Sequence, residues 1–258
     1  MGIDAEHPRI YLQRGQPPGV PPLALTGERT LPDVPEENYW FQRHLVVYRW
    51  IATRVAGQQV VDVASGEGYG ADTLAERAAS VLGIEPNPEA FAHAVARYPR
   101  VTFRRGLAED FIEPCDAITF LQTIEHVVDP GAVLEHFKDQ LRAGGTAYVS
   151  TPNLLTLAPE GAEKSGNPWH VKEYRAEEFR ALCEAHFSHV EVLGLFHARK
   201  LRVHELAIRH ARWDDVHERL GFTKPFYDRF TPAIDVRDFA LRTTDLDRAL
   251  DFLAVCRS

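Results

Sequence analysis

The sequence predicts an α/β protein: a doubly wound, mainly parallel seven-stranded sheet with a helical cap inserted before the last strand. Three observations predict it. A β-branched run (Val60, Val61, Val63) ends abruptly in small residues and alternating glycines, and Leu74, Ala75 and Ala78 then follow at helical spacing. That reads as buried strand, tight turn, helix. Apolar strand-like runs and amphipathic runs alternate down the chain, as in a parallel sheet with crossover helices. Finally, a late strand follows a stretch at about 198–235 that fits no strand–helix unit.

Taken in order, residues 1–25 hold Pro8, Pro17, Pro18, Pro21 and Pro22 with glycines between, and are expected as a flexible proline-rich arm. One domain is expected over 26–258. Its first segment, 26–56, contains a helix from Glu36 to Val55 with Tyr39, Trp40, Leu45, Val47, Tyr48 and Ile51 on a broad stripe. Two readings stand for it: an outer helix packed on the sheet, or a lid over a ligand with Arg43 or His44 facing it. After the glycine turn come strand Ser80–Ile84, helix Glu89–Tyr98, strand Val101–Arg105 and strand Ala117–Leu121. Helix Gly131–Leu141 is expected to start on Asp129 as N-cap and to stop at the pair Gly144-Gly145. Strand Thr146–Ser150, helix Ala176–Ala185 and strand Val190–Phe196 complete the repeat. The mostly helical stretch 198–235, rich in His and Arg, is expected to cap the sheet's C-terminal edge before the last strand, Leu250–Cys256.

Composition excludes several functions. At 258 residues with 45% hydrophobic content, the chain can bury a full-sized core. A net charge of −8 argues against a nucleic-acid partner, because phosphate contacts need clustered Lys and Arg. Cys115, Cys183 and Cys256 form no CxxC pair and read as buried thiols in a reducing compartment. No signal peptide and no apolar run near the ~20 residues of a membrane span are visible, so a cytoplasmic protein without stable membrane insertion is expected, as monomer or homodimer.

The turn itself points to a nucleoside ligand. Glycines let a ligand approach the backbone, and the N–H groups of the following helix face it. About twenty residues on, Glu85-Pro86 ends the next strand, the distance at which an acid reaches a ribose diol. The glycines alternate as Gly66-x-Gly68-x-Gly70 after Asp62, unlike the dinucleotide spacing G-x-G-x-x-G. Asp62-Val63-Ala64-Ser65-Gly66-Glu67-Gly68 resembles motif I of the class I S-adenosylmethionine (SAM) methyltransferases, which are Rossmann-like, with Ala64 in place of its first glycine. The resemblance implies SAM as cofactor, held across Asp62, Ala64, Gly66 and Gly68, by Glu85 and Pro86 at the ribose, and by Leu107, Ala108 and Glu109 at the adenine. Gln122 and His44 join the implied cofactor contacts. Many relatives carry an acid at the position of Leu107, so the adenine contact here is expected to rest on backbone groups and Glu109.

Methyl transfer to a hydroxyl needs a group that manages the acceptor's proton. Gln122-Thr123-Ile124-Glu125-His126 lies at the C-terminal end of one strand, where open α/β sheets bind ligands, and His170 can return there from a later loop. Phe120–His126, Val149–Asn153 and Asn167–Tyr174, together with Gly27–Thr30 and Glu37–His44, resemble bacterial glycan O-methyltransferases, most of all methylglucose lipopolysaccharide 6-O-methyltransferases. This resemblance implies O-methylation of a saccharide or glycolipid acceptor. The segment around Glu125 also resembles the E-x-x-E-H of ubiquinone-pathway and RNA-terminal O-methyltransferases, which implies a divalent cation on Glu125, His126, His170 and Gln122. Gln122 replaces that motif's first Glu, and the remaining set suits Zn²⁺ or Mn²⁺ better than Mg²⁺. Two mechanisms stand open for Glu125, His126 and His170: a bound cation activates the hydroxyl, or an imidazole takes its proton while Glu125 fixes the tautomer. The alternatives are a small-molecule (quinol or phenol) O- or N-methyltransferase and a non-catalytic SAM-binding partner. Trp169 reads equally as a stacking surface for a sugar or as core packing.

Overall fold

The computed structural model describes residues 9–11, 13, 15–25, 29–159, 161–211 and 223–258. In chain order the elements are β1 (Arg9–Tyr11), β2 (Leu23–Leu25), α1 (Asn38–Ala52), β3 (Gln59–Val63), α2 (Tyr69–Leu74), β4 (Ser80–Ile84), α3 (Pro88–Arg97), β5 (Thr102–Arg104) and β6 (Cys115–Leu121). They continue with α4 (Pro130–Gln140), β7 (Leu141–Pro152), α5 (Leu154–Leu157), α6 (Ala176–Glu184), β8 (His189–His197), α7 (Arg199–Ala211), α8 (Thr223–Phe230), β9 (Phe239–Arg242) and β10 (Asp251–Arg257). Two compact units result: residues 1–47 with 197–240, and residues 48–196 with 241–258.

In the first unit, β1 pairs antiparallel with β2 where the sequence suggests a flexible arm. Most of the prolines fall in the connection, and Val20 and Leu23 are buried beside them. Residues 1–8, 12, 14 and 26–28 of that N-terminal region lie outside the described residues, as do 212–222 of the expected insertion. The start of α1 and the insertion belong to this same unit. Asn38 Nδ2 donates to the carbonyls of Thr231 (2.9 Å) and Ile234 (2.8 Å), and the Tyr39 hydroxyl meets His197 Nε2 at 2.9 Å.

The second unit carries the sheet, ordered β5-β4-β3-β6-β7-β10-β8-β9. β3, β4, β5, β6 and β7 run parallel, and β10 lies antiparallel between β7 and β8. All seven expected strands are present, within a few residues at their ends. The sheet has an eighth, β9, whose Phe-Ala-Leu-Arg is too short to show alternation. Contrary to the expectation, α4 does not stop at the glycine pair: its C-cap is Leu141, and Gly144-Gly145 lie inside β7, opposite the register shift between Cys115 and Ala117. Asp129 caps the start as expected, its Oδ1 accepting the Ala132 N–H at 3.0 Å. The apolar face of α4 (Val133, Leu134, Phe137) and that of α6 (Ala176, Phe179, Cys183) bury against Phe120, Val149 and Phe252 of the sheet. All three cysteines are buried and unpaired. Among the described residues no helix is long and apolar enough to cross a membrane. Because the first five strands of this sheet are parallel, the residues after β3, β4, β6 and β7 emerge at one edge, where the site lies.

Candidate active site

The glycine turn is held from three sides. Beneath it, Asp62 on β3 is fully buried; its Oδ1 accepts from Thr119 Oγ1 (2.6 Å), its register neighbour on β6, and from the Tyr48 hydroxyl (3.3 Å). Its Oδ2 has no hydrogen-bond partner, and burial pushes the carboxyl up to about 7. Expected among the cofactor contacts, Asp62 is placed as a brace under the turn. Ala64 takes the left-handed conformation (φ 56°) that the resembled motif reserves for glycine, at a cost of about 1–2 kcal/mol. On the β4 side, the Ser65 N–H donates to the Ile84 carbonyl (2.9 Å) and the Gly66 N–H to Glu85 Oε2 (2.8 Å), while Glu85 Oε1 accepts the Asn87 N–H (3.0 Å). Glu85 thus sits beside the turn with two backbone dipoles orienting it, and Pro86 after it is exposed. On the third side, against α3, Gly68 adopts φ 100° and a Cβ there would lie 2.9 Å from Ala94 Cβ. Nothing lies within 4 Å of a Cβ built on Gly66, so the outer side of the turn is open for a ligand. That cradle, with Glu85 at its rim, fits an adenosyl cofactor.

The adenine-side turn follows β5. Leu107 is exposed, its N–H donating to Asp110 Oδ2 at 2.6 Å, while Ala108 is half-buried and Glu109 exposed. The Leu107 N–H is therefore already committed, which narrows the expected backbone contact to its neighbours. Gln122 closes β6 in a left-handed conformation (φ 53°), with Nε2 and its backbone N–H donating to Ser150 Oγ at 3.1 and 3.0 Å. His44, half-buried on α1, belongs to the first unit.

The later loop returns to the end of β6 as the spacing suggests. The N–H groups of Val171 and Lys172 donate to the Glu125 carbonyl (2.8 and 3.1 Å), pinning the loop to the Gln122–His126 segment. One ligand atom each from Glu125, His126 and His170 then lies within 4.8 Å of the others. Glu125 is buried with Oε2 unpartnered; burial raises its carboxyl to about 8, and the carboxylates of Asp251 and Glu173 add to the rise. His126 Nδ1 is 2.9 Å from the Trp169 carbonyl, and His170 Nδ1 is 2.6 Å from Glu173 Oε1. Both contacts demand a proton on Nδ1 and leave Nε2 as the lone-pair nitrogen in the neutral ring. Asn167, oriented by the Trp169 N–H on its Oδ1 (3.0 Å), donates Nδ2 to His170 Nε2 at 3.0 Å. One carboxylate oxygen and two imidazole nitrogens are a donor set suited to a divalent cation or to proton removal, with His170 Nε2 available when the Asn167 amide turns away from it. Trp169 is 57% exposed, which removes core packing as its role. The residues that sequence reasoning missed are Glu67 and His93, buried against each other with Nε2 to Oε1 at 3.1 Å, and Glu173 behind His170.

An open glycine cradle and a strand-terminal acid, at the C-terminal edge of a mainly parallel sheet in which β10 runs reversed, define a SAM-dependent methyltransferase. The chain belongs to that class: the family described as Methyltransferase domain matches residues 39–206. It is 38% identical over 245 residues to a probable SAM-dependent methyltransferase of Mycolicibacterium smegmatis, spanning 90% of this chain and 94% of that one. It is 40% identical over 184 residues to another from Mycobacterium tuberculosis, spanning 70% of this chain and 67% of the relative. A ubiquinone biosynthesis O-methyltransferase of Pseudomonas entomophila is 35% identical over 128 residues, 44% of this chain and 55% of that one. Among solved structures, a SAM-dependent methyltransferase from Thermotoga maritima superposes with a TM-score of 0.58 at 17% identity, spanning 86% of this chain and 95% of that chain. That likeness speaks for the fold.

Proposed function

We propose that this methyltransferase transfers the methyl group to a hydroxyl of a saccharide, within a polysaccharide or glycolipid precursor, and that Glu125, His126 and His170 manage the acceptor's proton. The observation that carries the chemical part is the convergence of those three side chains at the strand edge that also holds the cofactor turn. SAM, when bound, supplies an electrophilic methyl on sulfur; the protein's task is to aim the acceptor oxygen and lower the cost of its proton. A sugar hydroxyl is a poor nucleophile at neutral pH. The Nε2 of His126, or that of His170 once the Asn167 amide releases it, would accept its proton, with the Trp169 carbonyl and Glu173 stabilising the imidazolium that forms. Alternatively, Glu125, His126 and His170 would hold a divalent cation that supplies Lewis acidity, with the same Nδ1 contacts orienting the rings. The saccharide rests on the sequence resemblance of the segments around His126 and His170. A quinol or phenol acceptor is the second reading, supported by the ubiquinone-pathway relative over part of the chain.

The test is methyl transfer from radiolabelled SAM to a panel of saccharides and quinols, with and without a chelator. Labelled sugar and unlabelled quinol is the expected result; the reverse overturns the saccharide reading. Activity unchanged by exhaustive chelation assigns the proton to a histidine alone.

A further inference from the structure

We infer that Glu67, whose side chain points away from the open side of the turn, is a positioning residue for the cofactor: it fixes the turn that presents Gly66 and Glu85. A buried carboxylate is expensive unless it is paired and fully hydrogen-bonded, and the second residue of a glycine turn has no packing need for one. Yet Glu67 is 1% exposed and surrounded by donors. The Tyr98 hydroxyl lies 2.9 Å from both carboxylate oxygens, His93 Nε2 3.1 Å from Oε1, Arg97 Nε 3.4 Å from Oε1, and the Tyr69 N–H 3.1 Å from Oε2. Three of these four come from α3 or its C-cap and the fourth from the first residue of α2.

That arrangement is a clamp. α2 has no side-chain N-cap, because its N-cap is Gly68 in a left-handed conformation, and Glu67 supplies an acceptor for the Tyr69 N–H instead. Gly68 lies hard against Ala94 and Tyr98, so the turn meets α3 at two consecutive residues. One residue earlier, the Gly66 N–H is bonded to Glu85. A shift of Glu67 therefore moves Gly66 and the partner of the carboxylate at the ribose position. Ion pairing with Arg97 and the hydroxyl contacts set the position of the turn relative to α3 before any cofactor arrives, which is preorganisation.

The test is the affinity for S-adenosylhomocysteine by calorimetry, well below the melting temperature, in Glu67→Ala, Glu67→Gln and Tyr98→Phe. Glu67→Ala should raise Kd by about tenfold or more. Glu67→Gln keeps the acceptor oxygen for Tyr69 and should recover most of that loss, and Tyr98→Phe should weaken binding by about threefold. Hydrogen exchange at residues 66–70 should accelerate in the same order. If Tyr98→Phe and the Glu67 variants that fold bind within twofold of the parent while their melting temperatures fall, Glu67 only stabilises the fold and the inference is overturned. Should Glu67→Ala not fold, Glu67→Gln and Tyr98→Phe decide by the same criterion.

Discussion

His170 shows how neighbours assign a role to an imidazole. Glu173 Oε1 accepts the Nδ1–H hydrogen bond, Glu173 is itself held by the Ser165 N–H at 2.7 Å, and the ring lies 5.0 Å from that of His126, centre to centre. Removing it should leave the cofactor cradle untouched, since no bond links it to the turn. His170→Ala is expected to keep its affinity for S-adenosylhomocysteine and to lose turnover by about 10²-fold or more, the usual worth of a positioned base. Parent-level turnover would remove His170 from the mechanism. Glu85 gives the complementary case: if it holds the ribose as proposed, Glu85→Ala would forfeit charge-assisted bonds, and Kd for S-adenosylhomocysteine should rise by at least about tenfold. An unchanged Kd would mean that the ribose lies elsewhere.

At the scale of elements, the packing of α1 on α2 is the tightest constraint near the site. A Cβ at Gly70 would fall 2.2 Å from the Tyr48 ring, so the ring occupies the space that any larger residue needs, and the Tyr48 hydroxyl reaches Asp62 from there. Gly70→Ala must push Tyr48 aside and break that bond; a loss of about 1–3 kcal/mol is expected, read as a lower urea midpoint. A midpoint equal to the parent's would show that the ring yields freely. Such elements were largely legible beforehand, because β-branched runs, capping residues and glycine spacing are local signals; Val60–Val63, Ser80–Ile84 and Asp129 were all readable. What escaped depends on contacts distant in sequence. Glu67 meets His93 across 26 positions, and nothing in either segment announces the other. β9 escaped because an edge strand of four residues carries almost no period. The Glu125–His126–His170 cluster was foreseen because one segment ends a strand and the other returns in a loop, but the tautomers that Trp169 and Glu173 impose could only come from the fold.

Across the described residues, the acids whose pKa is displaced fall into two groups that act on stability with opposite sign. Glu113 is held below its usual range by Arg104, Asp116 by the Gln59 N–H and then Arg142, and Glu135 by His186 and then Lys138. Lowered acids contribute stability that is present above their unfolded pKa and lost as pH falls through the folded value, so their effect is confined to acid pH. Asp62 and Glu125 do the reverse, raised by burial from 3.8 to about 7 and from 4.5 to about 8. Between those limits the unfolded chain has released the proton and the folded chain has kept it. Each group then removes about 1.4 kcal/mol of stability per pH unit as pH rises, until its folded pKa is passed. The cofactor-free protein should therefore be most stable in mildly acid solution and weaken toward pH ~8. Asp62→Asn keeps an oxygen for Thr119 and Tyr48 but cannot titrate, so urea unfolding at about pH 5 and about pH 8 should show a smaller difference in the variant than in the parent. Equal pH sensitivity in the two proteins would mean that Asp62 is ionised beneath the turn throughout, with its unpartnered oxygen satisfied by solvent.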